Sequence, residues 1–207
     1  MTLTSIKFFV FVAATILVYY ICPKKFRWIV LLVASYAFYG IVCLKYMPFI
    51  VFTTLSTYAC GLWIGKIAQK GSDTVKEKKG EWSFSDKKAF KAKVNKKKRL
   101  VLALALVLNF GILAVLKYYN FFSGSITGLL QNLGSSAELP LFKLFLPLGI
   151  SFYTFQAMGY IIDVCRGKTK AEKNPAKFAL FVSFFPQIIQ GPISIYSDLA
   201  KQLYEPH

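Results

Sequence analysis

Few residues in this chain have the type and spacing that catalysis demands. The single histidine is His207, the last residue of the sequence. A general base needs a partner that orients it and a fixed place beside its substrate, and a terminal residue in a polar segment offers neither. No Ser-His-Asp set, Cys-His pair, H-E-x-x-H motif or Gly-rich phosphate loop can be assembled. No residue of this chain is therefore expected to be catalytic. Cys22, Cys43, Cys60 and Cys165 contain no CxxC pair, so neither a metal site nor a disulfide framework is expected. They read as small apolar side chains, with palmitoylation near a helix end as the alternative.

What remains is a set of polar groups inside apolar sequence between Leu146 and Ser194. Gln156 and Asp163 lie seven residues apart, which places them on one face of a helix. An ionisable group in hydrocarbon costs several kcal/mol, so Asp163 should face protein or water. Its neighbour Arg166 allows a plain interfacial ion pair instead. Gln156 can serve as a helix–helix hydrogen bond without any functional role. Gln187 and Gln190 flank apolar sequence broken at Pro186 and at Gly191-Pro192. Proline frees backbone carbonyls, and glutamine amides can satisfy them. The functional alternative is that Gln156, Asp163, Gln187, Gln190, Gly191 and Pro192 line a substrate cavity or tunnel. Non-helical backbone survives at membrane depth only where protein or water covers it.

The elements that must position these groups are membrane helices. Of 207 residues, 56% are hydrophobic and 17% aromatic, with a mean hydropathy of +0.49. Soluble domains carry about 45–50% apolar residues. The expected fold is all-α: a polytopic membrane bundle of about five transmembrane helices plus a broken or re-entrant sixth segment. The five apolar runs are Ile6–Cys22, Phe26–Leu44, Tyr46–Ile64, Leu100–Leu116 and Leu144–Ile162. The sixth, Lys177–Ile189, is too short for a simple span, which needs about 20 residues. Residues 118–140 read as a Gly/Ser-rich loop with a short surface helix near 126–133, and residues 196–207 as a polar tail.

The formal net charge is +17, from 26 basic and 9 acidic residues. Such a balance can signal nucleic acid. Here the bases fall between apolar runs, as the positive-inside rule and anionic headgroups favour, so a lipid bilayer is the expected partner and nucleic acid is not. Lys66–Arg99 alone holds 13 bases and 4 acids. It reads as a basic cytoplasmic loop. Its half from Ser83 onward can form a surface helix capped by Ser83 or Ser85, with Trp82, Phe84 and Phe90 at the headgroups. The organisation is therefore 1–65 (three transmembrane helices), 66–99 (the basic loop) and 100–207 (two further helices, the re-entrant segment and the tail). Bases also follow the first and fifth runs, whereas the gaps after the second and fourth carry few. That alternation predicts a multi-pass protein of the plasma membrane with an extracytoplasmic N-terminus.

Two motifs carry a resemblance to a known family. Leu146-Pro147-Leu148-Gly149-Ile150-Ser151-Phe152-Tyr153-Thr154-Phe155-Gln156 and Phe184-Phe185-Pro186-Gln187-Ile188-Ile189-Gln190-Gly191-Pro192-Ile193 resemble the membrane-bound O-acyltransferases. The similar branch is that of alginate O-acetyltransferase and the D-alanyl transfer protein of teichoic acids. Tyr160-Ile161-Ile162-Asp163-Val164 and Ser35-Tyr36-Ala37-Phe38-Tyr39-Gly40 add to the likeness. The resemblance implies transfer of an acyl group, such as acetyl from acetyl-CoA, through a central tunnel. The acceptor would be a hydroxyl of a cell-surface polysaccharide, helped by an extracytoplasmic companion acyltransferase. No bound cofactor is implied. The family's proposed catalytic histidine lies well downstream of the QGP segment. The chain therefore reads as the N-terminal portion of a protein about twice as long, inactive by itself. A transporter or flippase for a lipid-linked substrate and a non-catalytic membrane scaffold are the alternatives. The lack of an internal repeat counts against the transporter.

Overall fold

A computed structural model describes residues 6–78, 81–132, 149–191 and 194–204. Eight α-helices follow in order among the described residues. They are α1 (Ile6–Ile21), α2 (Arg27–Cys43), α3 (Met47–Glu77), α4 (Phe84–Asn132), α5 (Ile150–Arg166), α6 (Pro175–Ser183), α7 (Phe185–Gln190) and α8 (Tyr196–Tyr204). No strand occurs among the described residues, and the expected all-α class holds. Among the described residues, three helical stretches are long and apolar enough to cross a bilayer: Lys24–Val42, Leu44–Glu77 and Phe84–Tyr119. The first and fifth expected spans appear as α1 and α5, of 16 and 17 residues. The first falls just below the spanning range of about 17–25 residues and the second at its lower limit. Residues 144–148, expected to begin the fifth span, lie outside the described residues.

The basic stretch corrects the expected loop. Helix α3 runs on through Glu77, and α4 begins again at Phe84, so Lys66–Arg99 is mostly a helical hairpin. Two features explain this. Lys, Ala, Gln and Glu are good helix formers. The two arms also touch where Gly71 leaves room for Val94, since a Cβ on Gly71 would lie 2.9 Å from a Val94 methyl. The start of α4 follows the expected capping region, with the backbone N–H of Ser83 donating to Asp86 Oδ2 at 3.2 Å. Reaching back from the first turn in this way satisfies a donor that the helix itself cannot.

Two more expectations change. Residues 118–132, expected mainly as loop, continue α4, which reaches 49 residues, about 74 Å of helix. The expected surface helix at 126–133 is the end of that long helix, and residues 133–140 lie outside the described part. Residues 196–204, expected as a polar tail, form the amphipathic α8, which buries Tyr196 and Leu199. The polar pattern concealed a helix whose apolar face has a partner.

The core forms around α5. It packs against α3, α4, α6 and α7. Tyr153, Ala157, Tyr160 and Ile161 are fully or nearly fully buried. They join Ile50 and Ile64 of α3, Ala105 of α4 and Phe178 and Phe181 of α6 in one cluster. A second, smaller cluster joins Phe38, Phe185 and Phe11 where α1 and α2 meet α7. Large apolar side chains such as Phe9, Leu17, Val33, Leu55, Leu100 and Val107 stay exposed, as a lipid-facing bundle requires.

The basic flanks converge at one end of the bundle. Lys98 Nζ donates to the carbonyl of Cys165 at the end of α5 (2.9 Å). The Tyr58 hydroxyl donates to the Lys173 carbonyl (2.6 Å), and the Lys177 ammonium lies over the ring of Trp28 at the start of α2. The flanks after α1, α3 and α5 therefore share a side, as their charge pattern requires.

Candidate functional site

Helix α6 breaks for a reason its sequence states. Pro186 has no N–H, and its ring would collide with the carbonyl four residues back. The chain therefore leaves the helix at Phe184 (φ −56°, ψ 106°) and restarts with Pro186 in the first turn of α7. An unbroken helix would have Phe185 N–H donate to the Phe181 carbonyl. Both groups are instead satisfied from other helices. Phe185 N–H donates to Ser35 Oγ of α2 at 3.2 Å, and Ser35 Oγ donates in turn to the Leu31 carbonyl at 2.7 Å. The Phe181 carbonyl accepts from Gln156 Nε2 of α5 at 2.9 Å.

Gln156 goes further. Its Nε2 also donates to Gln187 Oε1 at 2.8 Å, and Gln187 Nε2 donates to Ser194 Oγ at 2.5 Å. One relay thus runs from α5 through α7 to the segment leading into α8. Gln156 is 4% exposed, so its bond to the Phe181 carbonyl forms away from water, where an unmade one is costly. Gly149 opens α5 in the left-handed region (φ 68°), where a Cβ would collide with Ile188. Gly191 closes α7, and a Cβ there would lie 2.6 Å from Gln187 Cα. The turn is thus clamped by small residues on both sides.

A second polar knot forms in the loop between α5 and α6. Gly167 ends α5 in the left-handed region, with Lys168 N–H bonded to the Asp163 carbonyl and Gly167 N–H to the Val164 carbonyl. This is the helix-ending pattern glycine favours. Glu172 then turns inward. Its Oε1 accepts from Asn174 N–H (2.8 Å) and its Oε2 from the Tyr196 hydroxyl (2.6 Å). Its own N–H donates to the Tyr160 hydroxyl (2.8 Å). Asn174 caps α6 by accepting from Ala176 and Lys177 N–H. Tyr160, Phe178, Phe181 and Tyr196 pack together beneath with centroids 4.7–6.2 Å apart, Tyr196 standing edge to face on Tyr160 and Phe181 and the other pairs tilted. Burial first, then the Glu172 carboxylate, push the Tyr196 phenol above its ordinary value, so it remains a donor.

The structure brings together Gln156 and Gln187, with Gly191 closing the same turn. Asp163 stands apart, about 10 Å further along α5. It is half-buried, and among the described residues it has no ion-pair partner, Arg166 included. Gln190 ends α7, but its side chain lies outside the described part, as do Pro192 and His207. Gln156 and Gln187 do not line the cavity of about 250 Å³ between α2, α3 and α6, whose polar liners are Tyr36, Thr54 and Tyr58. Ser35 and Tyr160 stood in the motifs without a role of their own, and Ser194, Glu172 and Tyr196 carried none from sequence. Glu172 carried a signal, as the lone acid in a loop of five bases from Arg166 to Lys177.

A broken apolar helix braced by amides against a central helix, beside three helices long enough to span a bilayer among the described residues, fits an all-α membrane bundle. Comparison with known proteins sharpens that class. The chain is 30% identical over 199 residues to the probable alginate O-acetylase AlgI of Azotobacter vinelandii, covering 96% of this chain and 35% of that protein. It is 29% identical over 199 residues to the peptidoglycan O-acetyltransferase of Helicobacter pylori, covering 84% of this chain and 32% of that protein. A 54-residue stretch is 43% identical to the teichoic acid D-alanyltransferase of Lacticaseibacillus rhamnosus, covering 26% of this chain and 13% of that protein. No family model matches the chain, and no solved structure matches it. These relatives support a membrane-bound O-acyltransferase type of family for this chain. The chain spans about a third of the length of the curated O-acetylases it matches, a smaller share than the half expected from the motifs.

Proposed function

We propose that this chain forms the N-terminal helices of a membrane O-acyltransferase acting on a cell-surface polysaccharide. The acyl group is acetyl, from a cytosolic donor such as acetyl-CoA, and the acceptor is a sugar hydroxyl. The observation that carries this reading is 30% identity to a probable alginate O-acetylase along 96% of the chain. The bundle's role is positional. The Gln156–Gln187–Ser194 relay holds the α6–α7 break open beside α5, and Gln156, Asp163, Gln187, Gln190, Gly191 and Pro192 line or brace the acyl path. None of these is a proton-transfer residue in the proposal. With the basic flanks facing the cytoplasm, the N-terminus is extracytoplasmic and the protein sits in the plasma membrane. An extracytoplasmic companion acyltransferase completes transfer.

The test uses washed membranes carrying the full-length protein that contains this chain, with radiolabelled acetyl-CoA and purified surface polysaccharide. Alkali-labile label on the polymer, absent from membranes lacking the protein, is expected. Polymer that crosses the membrane without acquiring an ester would refute the proposal in favour of a transporter.

A further inference from the structure

At the basic end of the bundle two concavities meet. One, of about 580 Å³, lies between the start of α2 and the α6–α8 pair. It is lined by Lys24, Lys25 and Lys177 together with Trp28 and Tyr204. No acidic side chain lines it. The other, also about 580 Å³, is a groove between α1 and α2 lined almost wholly by apolar side chains, among them Ala14, Val18, Val30 and Val33. Phe26 and Ile29 line both. The basic pocket and the apolar groove therefore adjoin at Phe26 and Ile29.

The basic pocket is held in shape. The Tyr204 hydroxyl donates to the Lys177 carbonyl at 2.6 Å and pins α8 to α6. The Lys177 ammonium then stands 4.9 Å from the Tyr204 ring centroid and 6.0 Å from that of Trp28. Two aromatic faces hold a cation this way without neutralising it. Arg27 is turned elsewhere, donating to the Cys22 carbonyl and lying over Tyr19 and Tyr20. Three lysines thus line one pocket.

We propose that this junction binds one anionic phospholipid, with its phosphate at Lys24, Lys25 and Lys177 and an acyl chain in the α1–α2 groove. Three lysines lining one pocket with no acid among its liners call for an anion, and basic pockets at a membrane surface select phosphate headgroups. The adjoining groove is apolar and lies where a headgroup's own chains would run. A soluble phosphate compound shares the headgroup chemistry but leaves the groove empty.

The experiment measures lipid retention by native mass spectrometry of the purified chain, offered phosphatidylglycerol or phosphatidylcholine. Glycerol-1-phosphate serves as the soluble competitor. A preference of about tenfold or more for phosphatidylglycerol is expected. The K24A/K25A/K177A variant should lose it. A charge-matched variant in the basic hairpin, K91A/K96A/K97A, should keep it. Ala14→Trp, which fills the groove from an exposed position, should weaken lipid retention while leaving the thermal midpoint unchanged. Equal loss in both triple variants would reduce the effect to bulk charge and overturn the site. Competition by glycerol-1-phosphate at the lipid's own concentration, with Ala14→Trp inert, would overturn the lipid assignment in favour of a free phosphate ligand.

Discussion

Replacing Gln156 with leucine isolates what the buried relay contributes. The two side chains are close in size, so the substitution opens little cavity. It removes one amide that serves two acceptors, the Phe181 carbonyl and Gln187 Oε1. A buried acceptor left unpaired costs about 1–3 kcal/mol. Interhelical hydrogen bonds measured inside membrane proteins are smaller, about 0.6 kcal/mol on average and at most about 1.7. Taking that lower scale for two bonds at a site 4% exposed, Gln156→Leu should destabilise the chain by about 1–3 kcal/mol. Reversible unfolding in mixed micelles, titrated with denaturing detergent, reads this directly. Val107→Ala, at an exposed lipid-facing position, is the control and should change stability by less than about 0.5 kcal/mol. A Gln156→Leu change as small as the control's would mean that the relay does not hold the α6–α7 break, and the account of that turn would be wrong.

Three further outcomes follow from the same geometry. Gly149→Ala adds a Cβ 2.7 Å from the Ile188 carbonyl oxygen at a left-handed backbone position, and should cost about 2 kcal/mol or more in the same unfolding assay. Glu172→Gln keeps one carbonyl oxygen where the carboxylate uses two, for Asn174 N–H and the Tyr196 hydroxyl. One bond is lost, and destabilisation of about 1–2 kcal/mol is expected, with a wild-type unfolding curve refuting it. Burial holds the phenols of Tyr196 and Tyr204 in α8 above their ordinary value, with Glu172 adding to the rise. Unfolded tyrosines lose their protons near pH 10, whereas these keep theirs. Their contribution is therefore complete below about pH 10 and declines above it. Stability that stays flat from pH 9 to pH 11 would contradict that.

Much of the fold was legible because bilayers impose strict rules. Apolar runs of spanning length and basic gaps between them gave the helices and their alternation. Pro186 announced the break in the sixth run, and the structure shows the physical reason in Phe181 and Phe185. The carbonyl-satisfying role expected of Gln187 and Gln190 falls instead to Gln156 for the freed Phe181 carbonyl, while the Gln187 amide donates to Ser194. What composition concealed was tertiary. Lys66–Arg99 looked like a solvated loop because its charge dominates, yet Gly71 and Val94 give two helices a contact line. Tyr196 and Leu199 looked like tail residues because their apolar partners, Phe178 and Phe181, lie about 20 residues earlier in the chain. Ser35 and Ser194 are ordinary serines in sequence. Only the meeting of α2, α7 and the segment before α8 makes them hydrogen-bond partners for the turn.

The most direct test of the central claim is the ester content of the surface polysaccharide in cells. Polymer from a strain carrying the gene for this chain's full-length protein is compared with polymer from a deletion strain and a complemented strain. Proton nuclear magnetic resonance measures the O-acetyl groups per sugar. Loss of O-acetyl signal on deletion, with recovery on complementation, is the predicted result. An unchanged acetyl level in the deletion strain, with polymer still exported normally, would contradict the assignment of this chain to acyl transfer.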